Sequence, residues 1–151
     1  MKCIGVDMDG TLMNNAHRQH YVQVPEGEKK DWKNFNHYIM DDTPHEHIVW
    51  LTKTFYAAGN QIIIFTARTR ELLIPTLIQL DEVCGLQGMY AEVYIRDWDD
   101  RRDDSIVKIE MLAKARADGY DPYLILDDRD RVVAAWRSAG IPCLQVAPGN
   151  F

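Results

Sequence analysis

What most constrains this chain is the repetition of short, almost wholly apolar runs separated by amphipathic segments. Cys3 to Val6, Gln61 to Thr66, Ala91 to Ile95, Pro122 to Leu126 and Pro142 to Val146 each read as a strand without in–out alternation. A strand with no polar face has to be covered on both faces. The segments between the runs supply the covers. Residues 44–58, about 69–84, 105–117 and 131–139 carry apolar positions at helical spacing. Strands alternating with helices predict an α/β fold built on a parallel sheet of five strands with helices on both faces. At 151 residues the chain reads as one domain, 1–151, large enough to bury a substantial core.

Local signals refine this outline. Thr43 is the expected N-cap of the first long helix, with Pro44 at its first position and Gly59 as its stop. Ile48, Leu51, Phe55 and Tyr56 would form its apolar face. Pro75 bends or starts the next helix. Ile106, Ile109, Met111, Leu112 and Ala113 would be the buried stripe of the third. Residues 13–43 are the least regular part, with one short amphipathic helix placing Trp32, Phe35, Tyr38 and Ile39 on a face. The segment of about 14–44 reads as a small insertion or cap-like segment, and residues 19–45 are open between a lid, a docking surface and a dimer contact. His45 and His47 do not face each other on a helix, so they read as solvated side chains rather than a metal pair.

Composition excludes several classes. Formal charge is −6, so the surface as a whole repels nucleic acid, and any such contact needs a local basic patch. No apolar run approaches the ~20 residues of a membrane span. The N-terminus lacks the apolar core of a signal peptide, which predicts a cytoplasmic protein. Cys3, Cys84 and Cys143 show no metal or redox spacing and read as small buried hydrophobes. Neither a nucleoside-triphosphate loop nor a dinucleotide fingerprint occurs, so no kinase activity is expected of this chain.

The chemistry gathers where strands end. Asp7 and Asp9 close the first run, and alternation points both to the same side. Two like charges ~4 Å apart repel by ~4 kcal/mol at an effective dielectric of ~20. Either one carboxylate keeps a proton or a cation sits between them. Gly10 permits a sharp turn, and Thr11 can cap the next segment. The second run ends in Thr66, with Arg68 just beyond, and the fourth in Asp127-Asp128. Lys108 lies on the helix before the fourth run. Parallel strands bring these ends to one edge of the sheet.

This set suits a phosphate monoester. A hard divalent cation on Asp7 and the Asp127-Asp128 pair would offset the repulsion between carboxylates and a dianion, and Mg2+ fits such ligands. Asp7 then attacks phosphorus. Asp9 protonates the leaving oxygen and later deprotonates water. Thr66 and Lys108 bind phosphoryl oxygens. The sequence alone does not say which of Asp127 and Asp128 is the direct ligand; alternation turns one toward the site and the other away, and Asp128 is the favoured one.

On these residues the sequence resembles the haloacid dehalogenase (HAD) superfamily of phosphohydrolases, with motifs Asp7-Met8-Asp9-Gly10-Thr11, Thr66, Lys108 and Asp127-Asp128. The resemblance implies a Rossmann-like, HAD-type sheet, a minimal cap and Mg2+-dependent phosphoaspartate chemistry, with metal contacts drawn from Asp7, Asp9, Asp127 and Asp128. The run Leu126 to Val133, then Trp136-Arg137, Gly140-Ile141 and Gln145 to Phe151, is similar to the 3′-phosphatase domain of phage polynucleotide kinase–phosphatases. So is the spacing of Arg96, Arg102, Asp104 and Lys108. That likeness implies substrate contacts from Arg18, Arg68, Arg96, Arg102 and Asp104. Departures are Thr66-Ala67-Arg68 where Ser-Gly-Arg is expected and Asn150 where an Asp is expected. Residues 19–45 match nothing.

Three functions are compatible with these residues. The first is an Mg2+-dependent polynucleotide 3′-phosphatase acting in DNA or RNA end repair. Arg68, Arg96, Arg101, Arg102 and Arg129 would form its basic rim, and Trp98 is a candidate to stack on a base. The second is a nucleotidase for small (deoxy)nucleoside monophosphates. The third is a non-catalytic binding module, which the complete motif set disfavours. The expected partner is thus a phosphorylated 3′ end or a nucleotide, with no membrane and with the oligomeric state open.

Overall fold

The computed structural model describes residues 1–151. Strands β1 (Cys3–Asp7), β4 (Gln61–Thr69), β5 (Glu92–Arg96), β6 (Pro122–Asp127) and β7 (Cys143–Gln145) form the expected five-stranded sheet, in the order β5-β4-β1-β6-β7. Every pair in it is parallel. β1 is central, and the order reverses on either side of it, so its carboxyl end opens into the crevice where such sheets receive ligands.

Helices α2 (Glu46–Ala57), α3 (Leu73–Ile78), α4 (Asp104–Ala117) and α5 (Asp130–Ser138) cover the sheet. Successive strand residues feed two separate cores. Ile63 and Phe65 of β4 join Val107, Leu112 and Trp136 from α4 and α5. Ile62 and Ile64 join Ile48, Val49, Leu80 and Leu86 on the other face. Burial on both faces is why these strands show no polar alternation. No helix is long and apolar enough to cross a membrane, and the three cysteines are free and buried.

Several boundaries differ from the sequence reading. Thr43 and Pro44 do not start α2. They form β3 (Thr43–Pro44), antiparallel to β2 (Met13–Asn14). A residue before proline favours extended backbone, and the His45 amide donates to the Leu12 carbonyl at 2.8 Å. The helix therefore starts at Glu46. Its buried stripe is Ile48, Val49 and Thr52, while Tyr56 is exposed. The β2–β3 ribbon closes off residues 15–42, which hold two 3-10 turns and the short helix α1 (Trp32–His37). Phe35 and Ile39 of the expected apolar face are buried, whereas Trp32 and Tyr38 are exposed.

β4 also runs on to Thr69 instead of turning after Thr66. Its pairing with β5 shifts between Thr66 and Thr69, a bulge that redirects the chain without ending the strand. Beyond it a 3-10 turn, α3 and a π-type turn at Gln79–Val83 replace one long helix. Pro75 lies in the first turn of α3, where its missing N–H leaves no bond unmade. In α4 the buried stripe is Val107, Lys108, Met111, Leu112 and Ala115. Ile106 and Ala113 face outward because the site draws Lys108 inward.

Candidate active site

The carboxyl ends of β1, β4 and β6 share one cleft of about 540 Å³. Asp7 ends β1 and is buried. Lys108 Nζ donates to its Oδ1 at 2.6 Å and Thr11 Oγ1 to its Oδ2 at 3.1 Å. Thr11 thus holds the nucleophile candidate and does not cap a helix. Lys108 also donates to Asp127 Oδ2 at 2.8 Å, an oxygen that takes the Trp136 indole N–H at 3.1 Å as well. Asp127 is fully buried, and its other oxygen accepts the Arg129 amide at 3.2 Å.

Asp7, Asp127 and Asp128 form a buried acidic cluster, with one oxygen of each within 4.8 Å of the others. Gly10 makes this approach possible. Its φ is +81°, and a Cβ there would lie 2.0 Å from Asp128 Oδ2. The tail is packed as tightly: a Cβ on Gly149 would lie 2.1 Å from the Asp128 carbonyl oxygen. Gln145 Nε2 donates to that same oxygen at 2.9 Å. The cluster's electrostatics are those of crowded acids. Burial pushes Asp7 well above the usual carboxylate range, with Lys108 opposing and Asp127 and Asp128 adding to the rise. Burial and Asp127 push Asp128 up to about 7. Burial alone would depress Lys108, but Asp127 and Asp7 hold it firmly charged.

Asp9 has the opposite surroundings. Arg68 grips its carboxylate from Nε at 2.9 Å and Nη2 at 2.8 Å, and Arg18 Nη2 reaches it at 2.6 Å. Burial alone would raise Asp9, yet the two guanidiniums hold it well below the carboxylate range. The sequence motif groups Asp9 with the metal-holding carboxylates. Its side chain is instead committed to arginines and lies outside the acidic cluster. Arg18 is itself wholly buried, held by Asp42 through Nε at 2.7 Å and Nη2 at 2.6 Å, with the Phe35 ring 4.1 Å from its guanidinium carbon. Arg68 Nη1 is fixed by Thr76 Oγ1 at 3.1 Å and Gln79 Oε1 at 2.7 Å.

The remaining candidates divide. Arg96 and Arg129 both bind Asp104, one on each carboxylate oxygen, so that Asp104 bridges two cations at the cleft. Arg102 lines the cleft, but its guanidinium is tied to Asp100, at 2.7 Å, and to Glu110. Its carbonyl oxygen accepts Arg96 Nη1 at 2.7 Å. Thr66 sits at the strand end with its hydroxyl accepting the Arg68 amide at 3.2 Å. It is 1% exposed and does not line the cleft.

The polynucleotide kinase PNKP phosphatase domain family matches residues 1–151. The chain belongs to that family. It is a phosphoric monoester hydrolase of HAD type. Among solved structures, two of the Pnkp1/Rnl/Hen1 complex, one described as an RNA repair complex, match at TM-score 0.78 with 26% and 27% identity. Each match covers 99% of this chain but only 43% and 46% of the other, so the chain spans less than half the length of those relatives. A haloacid dehalogenase-like hydrolase from Streptococcus pneumoniae shares the fold at TM-score 0.65 and 15% identity, over 95% of this chain and 83% of that one. A class C acid phosphatase from Bacillus anthracis shares it at TM-score 0.66 and 16% identity, over 99% and 67%.

Sequence reasoning misses the residues that hold the arginines. Asp42 reads only as the end of a segment, and Thr76 and Gln79 as ordinary helix positions. Nothing local marks them, because their partners lie 24, 8 and 11 residues away in the chain. Arg129 reads only as part of a basic rim.

Proposed function

We propose that this chain is an Mg2+-dependent phosphatase that removes the 3′-phosphate from a nucleic-acid end through an aspartyl phosphate on Asp7. The observation that carries this reading is the contrast, inside one cleft, between Asp7 among acids and Asp9 among arginines. The likeness to a chain of an RNA repair complex favours a polynucleotide end as the substrate.

The residues fit the metal. Three buried carboxylates converge, all hard oxygen donors, and their crowding is relieved only by a proton or a cation. Asp7, Asp127 and Asp128 would hold Mg2+, which when bound offsets their charge and polarises a phosphate oxygen. Asp7 is aimed by Lys108 on one oxygen and Thr11 on the other, which leaves a lone pair for attack on phosphorus. Lys108 keeps its charge throughout and stabilises the transferring group.

Asp9 rests ionised. In the second half-reaction it takes a proton from the water that attacks the phosphoaspartate. In the first half-reaction the leaving oxygen needs a proton. A phosphate monoester has a second pKa near ~6 and brings that proton when it binds as the monoanion, with Asp9 as relay. Arg18 and Arg68 keep Asp9 oriented for both steps. Arg96, Arg129 and Asp104 supply the charged wall that receives the substrate's backbone, and Arg102 shapes that wall through its carbonyl. Three free, buried thiols suit a reducing compartment, and we place the enzyme in the cytoplasm.

A second reading is a (deoxy)nucleoside-monophosphate nucleotidase, since a cleft of about 540 Å³ has room for a mononucleotide. Phosphate release from a 3′-phosphorylated oligonucleotide and from mononucleotides, with and without Mg2+, separates the two. The 3′-phosphatase reading expects Mg2+-dependent release that is fastest on the oligonucleotide. Faster release from mononucleotides would overturn it.

A further inference from the structure

Trp98 is 60% exposed and Trp32 is 48% exposed, yet both line the catalytic cleft. They come from unrelated parts of the chain, Trp98 from the loop after β5 and Trp32 from the first turn of α1. Two large, half-solvated indoles on one polar cleft expose apolar area that folding has not used. The other apolar groups lining the cleft are Phe35, Phe151, Val22 and Ala67. Phe35 and Phe151 are already engaged, each against an arginine.

The charges beside the indoles are also unspent. Arg101 lines the cleft three residues after Trp98 and makes no ion pair or side-chain hydrogen bond, unlike neighbouring Arg96 and Arg102. Lys30 Nζ lies 5.6 Å from the Trp32 ring. One indole therefore has a cation beside it and the other shares the cleft with an unpaired one, on a protein whose formal charge is −6. Flat rings next to free cations are what an unpaired polyanion with stacking bases requires. A mononucleotide has one base and, after its phosphate reaches Asp7, no further backbone charge for a second cation.

We propose that Trp98 with Arg101, and Trp32 with Lys30, form two stacking platforms for the nucleotides just upstream of the 3′-phosphate, so that the substrate is an unpaired strand end. This rests on the 3′-phosphatase reading above. The rings bind every base by its face, so the subsite selects for strand length and single-strandedness, not for base identity. A paired terminus keeps its bases stacked on one another and engages the platforms poorly.

The test compares kcat/KM on a 3′-phosphorylated single-stranded hexanucleotide with kcat/KM on p-nitrophenyl phosphate, which carries no base. Trp98→Ala and Trp32→Ala should each lower the oligonucleotide-to-ester ratio about 5- to 100-fold. Trp98→Phe, which keeps a π-face, should recover most of that loss. Trp98 is the sharper probe, because Trp32 also touches Phe35, which packs on Arg18. A 2-aminopurine placed next to the 3′-phosphate should be quenched on binding to Asp7→Asn protein and not when Trp98→Ala is added. An unchanged ratio in both alanine variants would overturn the platforms while leaving the 3′-phosphatase intact. Wild-type protein that hydrolyses the small ester but not the oligonucleotide would overturn the 3′-end reading itself. A recessed 3′-phosphate in a duplex should react more slowly than the single strand, and equal rates would contradict the requirement for an unpaired end.

Discussion

Asp7 and Asp9 leave the same strand end two residues apart and enter opposite fields. Asp7 meets Asp127, Asp128 and a single lysine, and its carboxyl is driven up. Asp9 meets Arg18 and Arg68, and its carboxyl is driven down. Two chemically identical groups are thereby assigned different work by their surroundings. On the proposed function, the acidic side would hold a cation and the nucleophile, and the guanidinium side would fix an ionised base. Each field comes from residues distant in sequence, so the division of labour is a property of the fold.

The largest expected effect comes from removing the proposed nucleophile. Asp7→Asn should lower kcat by at least ~10³-fold on every ester, with the far-ultraviolet circular dichroism spectrum retained. Near-normal turnover would break the assignment of Asp7. Asp9→Asn should cost ~10²- to 10⁴-fold on an oligonucleotide, and clearly less on p-nitrophenyl phosphate, whose leaving group needs no proton. Equal losses on both esters would remove Asp9 from protonation of the leaving oxygen. Arg18→Lys is not conservative, because Arg18 bridges Asp9 and Asp42 through a planar fork. It should slow turnover by at least ~10-fold and raise the acid limb of the pH–rate profile as Asp9 is released. An unmoved limb would mean that Arg18 does not control Asp9.

The acidic side also predicts a pH dependence of stability. Asp128 has its folded pKa raised to about 7 from an ordinary 3.8. In the absence of divalent cation its contribution is fully present below about pH 4 and is lost as pH rises through about 7. Asp128→Asn removes that loss. In chelator the variant should therefore gain stability over wild type between pH 5 and 8, on the order of 4 kcal/mol at the upper end. It should also lose the thermal stabilisation that Mg2+ gives wild type. A variant whose melting temperature tracks wild type at all pH values, with and without Mg2+, would take Asp128 out of the cluster. The smallest effect is expected at Arg102→Ala. Its guanidinium is tied to Asp100 and Glu110 in solvent, where such pairs contribute little. Activity within about twofold of wild type is the prediction, and a tenfold loss would return Arg102 to the substrate wall.

How legible these features are depends on the range over which each is determined. The sheet and the strand-end motif are local: apolar runs, then Asp7, Asp9, Asp127 and Asp128 at their ends. Both can be read from the sequence. The extension of β4 through Arg68 cannot, because the bulge beyond Thr66 exists only through pairing with β5. β3 is hidden for a similar reason. Thr43-Pro44 satisfies a helix start and a strand equally well, and pairing with Met13 and Asn14 decides between them. At the site, Lys108 is legible from spacing, and so are the arginines as a group. Their division into gripping Asp9 (Arg18, Arg68), straddling Asp104 (Arg96, Arg129) or being tied up at the surface (Arg102) is not. That sorting depends on which carboxylate each guanidinium reaches across the fold.

The most direct test of the central claim is a rapid-quench experiment with a 3′-[³²P]phosphorylated oligonucleotide and Mg2+, reading label bound covalently to protein. The account predicts acid-stable, hydroxylamine-labile label on the peptide that carries Asp7. The label should be transient in wild type and absent in Asp7→Asn. Turnover without any covalent label, or label that survives in Asp7→Asn, would contradict it.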